Sequence, residues 1–357
     1  MGRLASAFAI LGLVLFMAPQ ASALPRYSAQ YGQNCTLCHV NPTGGGMRTE
    51  YAAQYLVPEE IAATGWSEQE AEYLNSRIAP GITVGVDLRS LLYQQEGGSG
   101  STIAMQGDLY LNLMLGGRFN ATVEQGLNGS GEIFGTARFE MLDGYLKAGR
   151  FYPDYGWRFA DHQMFNRRYL ADGSGSDLPA AFLGQGFELG ISPGGFSASA
   201  SLLGGSRHNG DNYAARALYQ KGLGDLNLGT GASLWRRQLT TGHRRAAGIF
   251  GYASLGPLTW LGEWDETHEG DVLGNLMAHE LTCRVRRGYD LRATYNFHDP
   301  DRALESGVRH RFGGGLSAMP RPYFGYTVMA NYWQVEEGSA VSDADRLEGE
   351  VMIHFFY

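Results

Sequence analysis

From Ile82 to the C-terminus, short stretches of the sequence place an apolar residue at every second position. Between Leu109 and Leu115, leucine alternates with tyrosine, asparagine and methionine. Between Tyr289 and Phe297, aliphatic and aromatic residues alternate with aspartate, arginine, threonine and asparagine. Successive side chains of a β-strand point to opposite faces, so each stretch is a strand with one apolar and one polar face. The pattern predicts a large antiparallel β-structure.

Sixteen such stretches follow one another, and the connections between them alternate between short turns, such as Met319-Pro320, and longer polar loops, such as Gly205 to Asn212. The stretches begin near residues 82, 102, 117, 132, 144, 183, 195, 213, 224, 244, 257, 273, 288, 305, 321 and 346. An even number of strands joined in this way is typical of outer-membrane barrels. We therefore predict a mainly β fold, an outer-membrane antiparallel β-barrel of about 16 strands over residues 81–357. The alternative is a large soluble sandwich or propeller, although no repeat of blade length is present.

The composition agrees with this fold class. The 357 residues include 51 glycines, 20 tyrosines and 17 phenylalanines, which favour turns and strands. A mean hydropathy of -0.24 excludes a helical membrane bundle, whereas a barrel strand needs only every second residue apolar. The net charge of -8 gives no reason to expect a nucleic-acid partner.

The first 23 residues have the pattern of a signal peptide. Arg3 supplies the positive charge, Leu4 to Met17 is an uncharged apolar stretch, and Ala21-Ser22-Ala23 is an A-x-A cleavage site. The mature chain is expected to begin at Leu24 and to work outside the cytoplasm. The alternative, a membrane anchor, is disfavoured because the apolar stretch is short of the ~18 residues that a span needs.

Residues 35–39 read Cys-Thr-Leu-Cys-His, which is the C-x-x-C-H pattern for covalent attachment of c-type haem. Two thiols about one helical turn apart can each bond one vinyl group of haem, and the next residue then serves as proximal iron ligand. The motif predicts one covalent haem c on Cys35 and Cys38, with His39 on the iron. A C-x-x-C disulfide and half of a zinc site are alternatives, but zinc would need further Cys or His ligands, which residues 24–80 do not contain.

The haem motif lies in a segment, residues 24–80, that is predicted to be helical. Short helices are expected over 48–56, from Pro58 onward, and from Ser67 to about Ile78, because proline or serine followed by acids is a helix-start pattern. For the distal side of the haem, the sequence offers Met47, which follows the loop Asn41–Gly46. Met47 is a candidate distal ligand; the alternatives are that it packs on the haem edge, or that the ligand comes from the barrel or is absent.

Three further features of the barrel half bear on function. The longest connection, Pro153 to Ala180, follows the fifth strand and carries charged residues that include Asp161 and His162. It is either an inward charged constriction or capping surface, or an exposed, solvated loop. Cys283 alternates with apolar neighbours and is expected to face outward in a structural role. His354 is expected on the lumen face of the last strand, where it is a reserve haem ligand.

An even number of strands puts both ends of the barrel on the periplasmic side. Because only Ala79-Pro80-Gly81 joins the haem segment to the first strand, the haem is expected at the periplasmic mouth or inside the lumen, as a plug. A covalent haem within the insulating layer suits an electron relay better than storage or binding.

The order of signal peptide, single C-x-x-C-H motif, short helical segment and barrel resembles the fused monohaem cytochrome–porins of iron-oxidising bacteria. The motif residues that carry this resemblance are Cys35, Cys38 and His39. The resemblance implies a protein in the outer membrane of a Gram-negative bacterium that passes electrons between extracellular iron and a periplasmic cytochrome or other electron carrier. It would then be an electron carrier acting as an extracellular metal oxidoreductase, with lipid, a metal ion and the periplasmic carrier as partners.

Two other functions remain open at this point. One is a transport porin in which the haem segment is a gate or docking module, and the other is a barrel that scaffolds separate multihaem cytochromes. No paired acids or Ser-His-Asp set is distinguishable, so no catalytic residue of a hydrolase is predicted.

Overall fold

The computed structural model describes residues 25–67, 69–70, 75–126, 131–159, 164–170, 183–205, 208–239, 242–304, 306–336 and 345–357. Sixteen antiparallel strands, β1 to β16 in chain order, make up most of this part of the chain. Their bounds are β1 Ile82–Gln95, β2 Ser101–Leu115, β3 Phe119–Gly126, β4 Ile133–Phe139, β5 Gly144–Phe151, β6 Gly184–Ile191, β7 Phe196–Gly205, β8 His208–Leu223, β9 Leu226–Leu239, β10 Gly242–Leu255, β11 Leu258–Glu269, β12 Val272–Arg286, β13 Tyr289–Asp299, β14 Arg309–Arg321, β15 Phe324–Val335 and β16 Arg346–Phe356.

The strands close into a barrel. Each strand pairs with its neighbours along the chain, and β16 also pairs with β1, where Phe355 lies opposite Leu88. The predicted antiparallel barrel of sixteen strands is confirmed, and every predicted start lies within five residues of an observed one. Closure leaves no sheet edge unpaired, which is how a strand fold satisfies its backbone groups.

The period-two pattern sorts side chains between the two faces of the barrel wall. In β2, Leu109 is 63% exposed on the outside, whereas the neighbouring Tyr110 is 3% exposed in the lumen. Cys283 alternates in β12 with the exposed Leu281 and Val285, so it lies on the outer face as predicted. The outer face is apolar and the inner face is polar.

Two predicted connections differ from the structure. The loop expected over 205–212 is largely strand, since β7 ends at Gly205 and β8 begins at His208. The turn expected at Met319-Pro320 lies three residues later, at Pro322 and Tyr323, where Tyr323 takes a left-handed φ of 77°. A register irregularity between Ala318 and Arg321 delays this turn.

The N-terminal segment is helical, but its helices differ from the prediction. It contains the helix α1, Pro25–Tyr31, and a 3₁₀ turn over Cys35–Leu37. A π-helix runs over Ala52–Ile61 and passes through Pro58, where a helix break was predicted. Proline removes an N–H donor and clashes with the preceding turn of an α-helix, and the wider π-helix, with its i→i+5 bonds, accommodates it.

The predicted helix start at Ser67 is confirmed, whereas the predicted helix end is wrong. The Ser67 hydroxyl accepts the Glu70 N–H at 3.2 Å, and the Glu70 carboxylate accepts the Ser67 N–H at 2.9 Å, which is a capping box. Arg77–Ala79, expected at the end of this helix, is a short strand that pairs with the start of β1.

The described residues of the N-terminal segment, from Pro25 to Ala79, contact lumen-facing residues of the barrel wall; we call this segment the plug. Its α1 end is bound to one side of the wall, where Arg26 pairs with Glu280 of β12 at 3.2 Å. Its Gly-rich loop is bound to the other side, where Lys147 of β5 donates to Asn41 at 3.2 Å. No helix of the described residues is long and apolar enough to cross a membrane.

The long connection after β5 also folds inward over its described residues. Trp157 is 6% exposed and Phe165 is fully buried. The Trp157 N–H donates to Glu263 of β11 at 2.6 Å, and the Phe165 N–H donates to Asn296 of β13 at 3.0 Å. Of the two interpretations of this loop, the structure therefore supports the inward constriction; Asp161 and His162 lie outside the described residues.

Candidate functional site inside the barrel

The three residues of the haem motif lie on one tight turn beside a cavity in the lumen. The Cys38 and His39 N–H groups both donate to the Cys35 carbonyl, at 3.1 and 2.9 Å. Cys35, Cys38 and His39 all line the same cavity, which encloses about 280 Å³. The sequence predicted this juxtaposition, and the structure places all three side chains at one site.

A short hairpin carries the motif into the Gly-rich loop and back. The Val40 N–H donates to the Met47 carbonyl and the Thr49 N–H to the Cys38 carbonyl, each at 3.0 Å. His39 and Arg48 form the bridge between the two arms of the hairpin. Residues opposite each other in an antiparallel bridge project to the same face, so His39 and Arg48 both face the cavity.

Three consecutive glycines make the tip of this hairpin. Gly44, Gly45 and Gly46 have φ angles of 84°, 74° and 61°, in the left-handed region that favours glycine. A Cβ atom on Gly44 would lie 3.2 Å from the Cys35 sulfur, and one on Gly45 would lie 2.7 Å from the Arg158 guanidinium. The glycines therefore let the loop approach both the first cysteine and the inward loop closely.

Two cations hold the loop in place. Lys147 donates to the Asn41 side chain and to the Thr43 hydroxyl, each at 3.2 Å. Arg158, from the inward loop, donates to the Gly44 carbonyl at 2.6 Å and pairs with Glu132 at 3.3 Å. The segment Asn41–Gly46 is thus fixed between the barrel wall and the inward loop.

The two thiols are free and protonated. Burial raises the pKa of Cys35, and burial together with the charge of Cys35 raises the pKa of Cys38 to about 11. The reactive thiols of disulfide oxidoreductases have lowered pKa values instead. Neither cysteine forms a disulfide in this structure. Burial thus disfavours the thiolate form of both cysteines.

The imidazole of His39 is neutral. Burial lowers its pKa to about 3, and the positive charges of Arg48 and Arg158 lower it further. Its Nδ1 atom is buried and has no hydrogen-bond partner. Neutral imidazole is the form of histidine that ligates metals.

Arg48 is a buried cation without an acidic partner among the described residues. It is 5% exposed, and neither Nε nor Nη1 makes a hydrogen bond. Asp87, the acid whose charge acts on it most, is already bound by Arg89 at 3.2 Å and by His354 at 2.6 Å. An unpaired buried charge is costly, and Arg48 lines the cavity with its guanidinium only partly bonded.

These residues fit a covalent haem. The turn supplies two thiols and a neutral imidazole, the other arm of the hairpin supplies an unpaired cation, and the rings of Tyr27, Tyr110 and Trp157 line the same cavity. By contrast, no group of three or more His, Cys, Asp and Glu in the described part of the chain is arranged to hold a bare metal ion.

The two candidate distal ligands lie away from the cavity lining. Met47 is 4% exposed and packs with Val40 and Tyr110. His354 lies on the lumen face as predicted, and its Nε2 is 2.6 Å from Asp87 Oδ1. The distal role of Met47 stays a prediction, and His354 has a carboxylate partner instead.

Sequence analysis missed Arg48, Lys147 and Glu132 as site residues. Their signals are weak along the chain, because each depends on contacts with distant residues. Lys147 carries the one hint, since the chain has only two lysines and this one lies on the polar face of a strand.

Comparison with known proteins identifies the fold. No family model matches the sequence, and no curated protein matches it. An anion-selective porin from Comamonas acidovorans has 13% identity and a TM-score of 0.55 over 77% of this chain and 99% of its own. The trimer form of OmpT, an outer-membrane protein of Vibrio cholerae, has 12% identity and a TM-score of 0.59 over 77% and 99%. Salmonella typhi OmpF in complex with daunomycin has 9% identity and a TM-score of 0.56 over 77% and 97%. The chain therefore has the fold of the outer-membrane porins.

Proposed function

We propose that this protein is an outer-membrane barrel that moves electrons through a covalent haem c held in its lumen. The observation that carries the proposal is that Cys35, Cys38 and His39 line one cavity between the plug, the inward loop and the barrel wall. A lone C-x-x-C-H motif is a short pattern, but its residues meet at a cavity large enough for a ligand.

The surface of the barrel supports a place in a membrane. Large apolar side chains point outward, among them Leu202, Phe187 and Ile249, which are 67%, 63% and 61% exposed. Such exposure is unusual in water and typical of a barrel wall facing lipid. The signal peptide predicted over residues 1–23 would direct export; it lies outside the described residues.

The site residues have distinct roles in this proposal. Cys35 and Cys38 would each form a sulfur–carbon bond to a vinyl group, with the thiol proton moving to the other vinyl carbon, so that no electrons are gained or lost. His39 would ligate the iron through its neutral imidazole. Bound haem would supply a one-electron couple, whose potential depends on the axial ligands and on exposure to solvent.

The partners follow from the position of the plug. We propose a periplasmic cytochrome or other electron carrier on the side of the short turns, and an extracellular metal ion, iron first, on the side of the long loops. The resemblance to fused cytochrome–porins of iron oxidisers supports this arrangement, and with it an extracellular metal oxidoreductase.

The second candidate function is a transport porin with the plug as gate or docking module. The comparisons favour it more directly, since the solved structures described above are porins or outer-membrane proteins and none is a cytochrome. The cavity is lined by arginines, among them Arg89 and Arg216, and by acids, among them Asp87 and Asp154, so polar solutes would find hydrogen-bond partners there.

One experiment separates the two functions. Purified outer membranes from cells with the wild-type protein and with the Cys35→Ala variant are stained for covalent haem and examined by reduced-minus-oxidised spectra. If the protein transfers electrons through haem, wild-type membranes should show a c-type haem signal, and this signal should be weaker or absent in the Cys35→Ala membranes. A wild-type barrel present in the membrane without covalent haem would remove that proposal and leave the porin, which planar-bilayer conductance then tests directly.

A further inference from the structure

Arg48 differs from three other arginines that border the cavity. Arg89 pairs with Asp87 at 3.2 Å, Arg158 with Glu132 at 3.3 Å, and Arg216 with Asp154 at 3.7 Å. Arg48 has no such pair within the described residues, although it is 5% exposed. A protein interior rarely keeps an unpaired guanidinium, because its desolvation is then uncompensated.

The side chain is held in a defined place. Its guanidinium carbon lies 3.5 Å from the centre of the Phe356 ring, a contact that fixes the plane of the group. Its backbone is the bridge partner of His39, on the same face of the hairpin. Arg48 is thus a preorganised cation beside the proximal histidine of the proposed haem.

We propose that Arg48 binds a carboxylate of the bound cofactor, that is, a haem propionate; this rests on the proposed haem function. The planar fork of a guanidinium matches a carboxylate in two parallel hydrogen bonds, whereas a lysine acts as a point charge. Arg48 is a positioning residue: together with the two thioethers and His39, it fixes the rotation of the ring in the cavity.

The proposal has a consequence that a purely structural arginine would not have. With haem present, the Arg48 guanidinium is paired with a propionate, and replacing Arg48 leaves that propionate unpaired. Without haem, the guanidinium is an uncompensated buried charge, and replacing it by an apolar side chain of similar length relieves that cost. The effect of Arg48→Met on stability therefore changes sign between the two forms.

The charge also acts on the iron. A nearby positive charge favours the reduced state, which carries less positive charge than the oxidised state. We expect Arg48→Met to lower the midpoint potential of the haem, and Arg48→Lys, which keeps the charge and loses the fork, to lower it less.

The experiment compares Arg48→Met and Arg48→Lys with the full-length protein, in the wild-type background and in a haem-free Cys35→Ala/Cys38→Ala background. The readouts are the midpoint potential and the temperature at which folded barrel converts to the unfolded band on SDS gels. Arg216→Met is the matched control, because it leaves Asp154 without its arginine and should destabilise both backgrounds alike.

The expected result is a lower potential and a lower unfolding temperature for Arg48→Met with haem, and an unchanged or higher unfolding temperature without haem. An unchanged potential, or equal destabilisation in both backgrounds, overturns the proposal and leaves Arg48 a structural partner of Phe356. If the wild-type barrel carries no covalent haem, the proposed function itself fails, which the haem stain shows before any Arg48 variant is made.

Discussion

Lys147 Nζ lies 2.7 Å from Glu188 Oε1, and neither side chain is exposed to solvent. The two residues are directly opposite each other on β5 and β6. The same ammonium donates to Asn41 and Thr43 of the plug. One buried ion pair of the barrel wall therefore also holds the loop that follows the haem motif.

Replacing Lys147 by methionine should destabilise the barrel strongly. The substitution leaves Glu188 charged and buried, and breaking a buried pair in this way costs about 3–5 kcal/mol. The measurement is the temperature of thermal unfolding, detected as the change from the folded to the unfolded band on SDS gels. Lys221, the other lysine of the chain, is exposed, and Lys221→Met is the control, expected to change nothing.

The double variant Lys147→Met/Glu188→Gln separates the pair from the docking of the plug. With both charges removed, much of the stability should return, because a buried pair replaced as a whole is often nearly neutral. The plug contacts to Asn41 and Thr43 stay broken, so proteolysis of the plug should still be faster than in the wild type. Equal protection of the plug in the wild type and the double variant would contradict the docking role of Lys147.

The barrel could be predicted from the sequence because its signal is local. Alternation over a few residues, as between Leu109 and Leu115, decides which face is apolar, and short turns fix the neighbouring strand. Two connections differed from the prediction: the strands near Gly205 are longer than expected, and a register irregularity delays the turn at Pro322. Strand length and register depend on pairing with neighbouring strands, which the local sequence pattern does not show.

The site was only partly predictable, for a related physical reason. The C-x-x-C-H turn is local and was found, whereas the contacts of Arg48 and Lys147 join residues far apart in the chain. The π-helix through Pro58 was also missed, because helix rules treat an interior proline as a break. Packing of the plug against Met319 and Tyr323 of the wall accompanies this unusual helix.

Gly44→Ala should impair haem attachment while leaving the barrel folded. The new Cβ would lie 3.2 Å from the Cys35 sulfur, and the residue has a left-handed φ. Gly97 has a similar φ of 71°, and a Cβ added there would meet no atom within 4 Å. Gly97→Ala therefore carries the same backbone strain, about 1–2 kcal/mol, without the contact. Haem per folded barrel should fall only in Gly44→Ala; an equal fall in both would mean that backbone strain alone is responsible.

The distal ligand can be tested by substituting Met47 with leucine. Because Met47 packs with Val40 and Tyr110, we expect the ferric and ferrous spectra of the haem to be unchanged. Loss of the charge-transfer band of a methionine-ligated ferric haem would establish Met47 as the ligand after all. His354→Gln is the companion variant, and it should also leave the spectra unchanged because His354 is bound to Asp87.

Arg158→Gln should increase the permeability of the barrel. Arg158 joins the inward loop to the plug through the Gly44 carbonyl at 2.6 Å and to the barrel wall through Glu132, which precedes β4, at 3.3 Å, and no other described residue makes both contacts. Glutamine loses the charge and the reach, so the polar link between the plug and the loop is lost and only apolar packing, as of Ala29 with Trp157 and Phe159, still holds them together. Planar-bilayer recording should show a small conductance for the wild type and a larger one for the variant. The matched control is Arg118→Gln, which removes an exposed ion pair with Glu140 and touches neither plug nor loop. An already large wild-type conductance that Arg158→Gln does not change would mean that solutes pass beside the plug, and the barrel would then be an open porin in which the plug is not a gate.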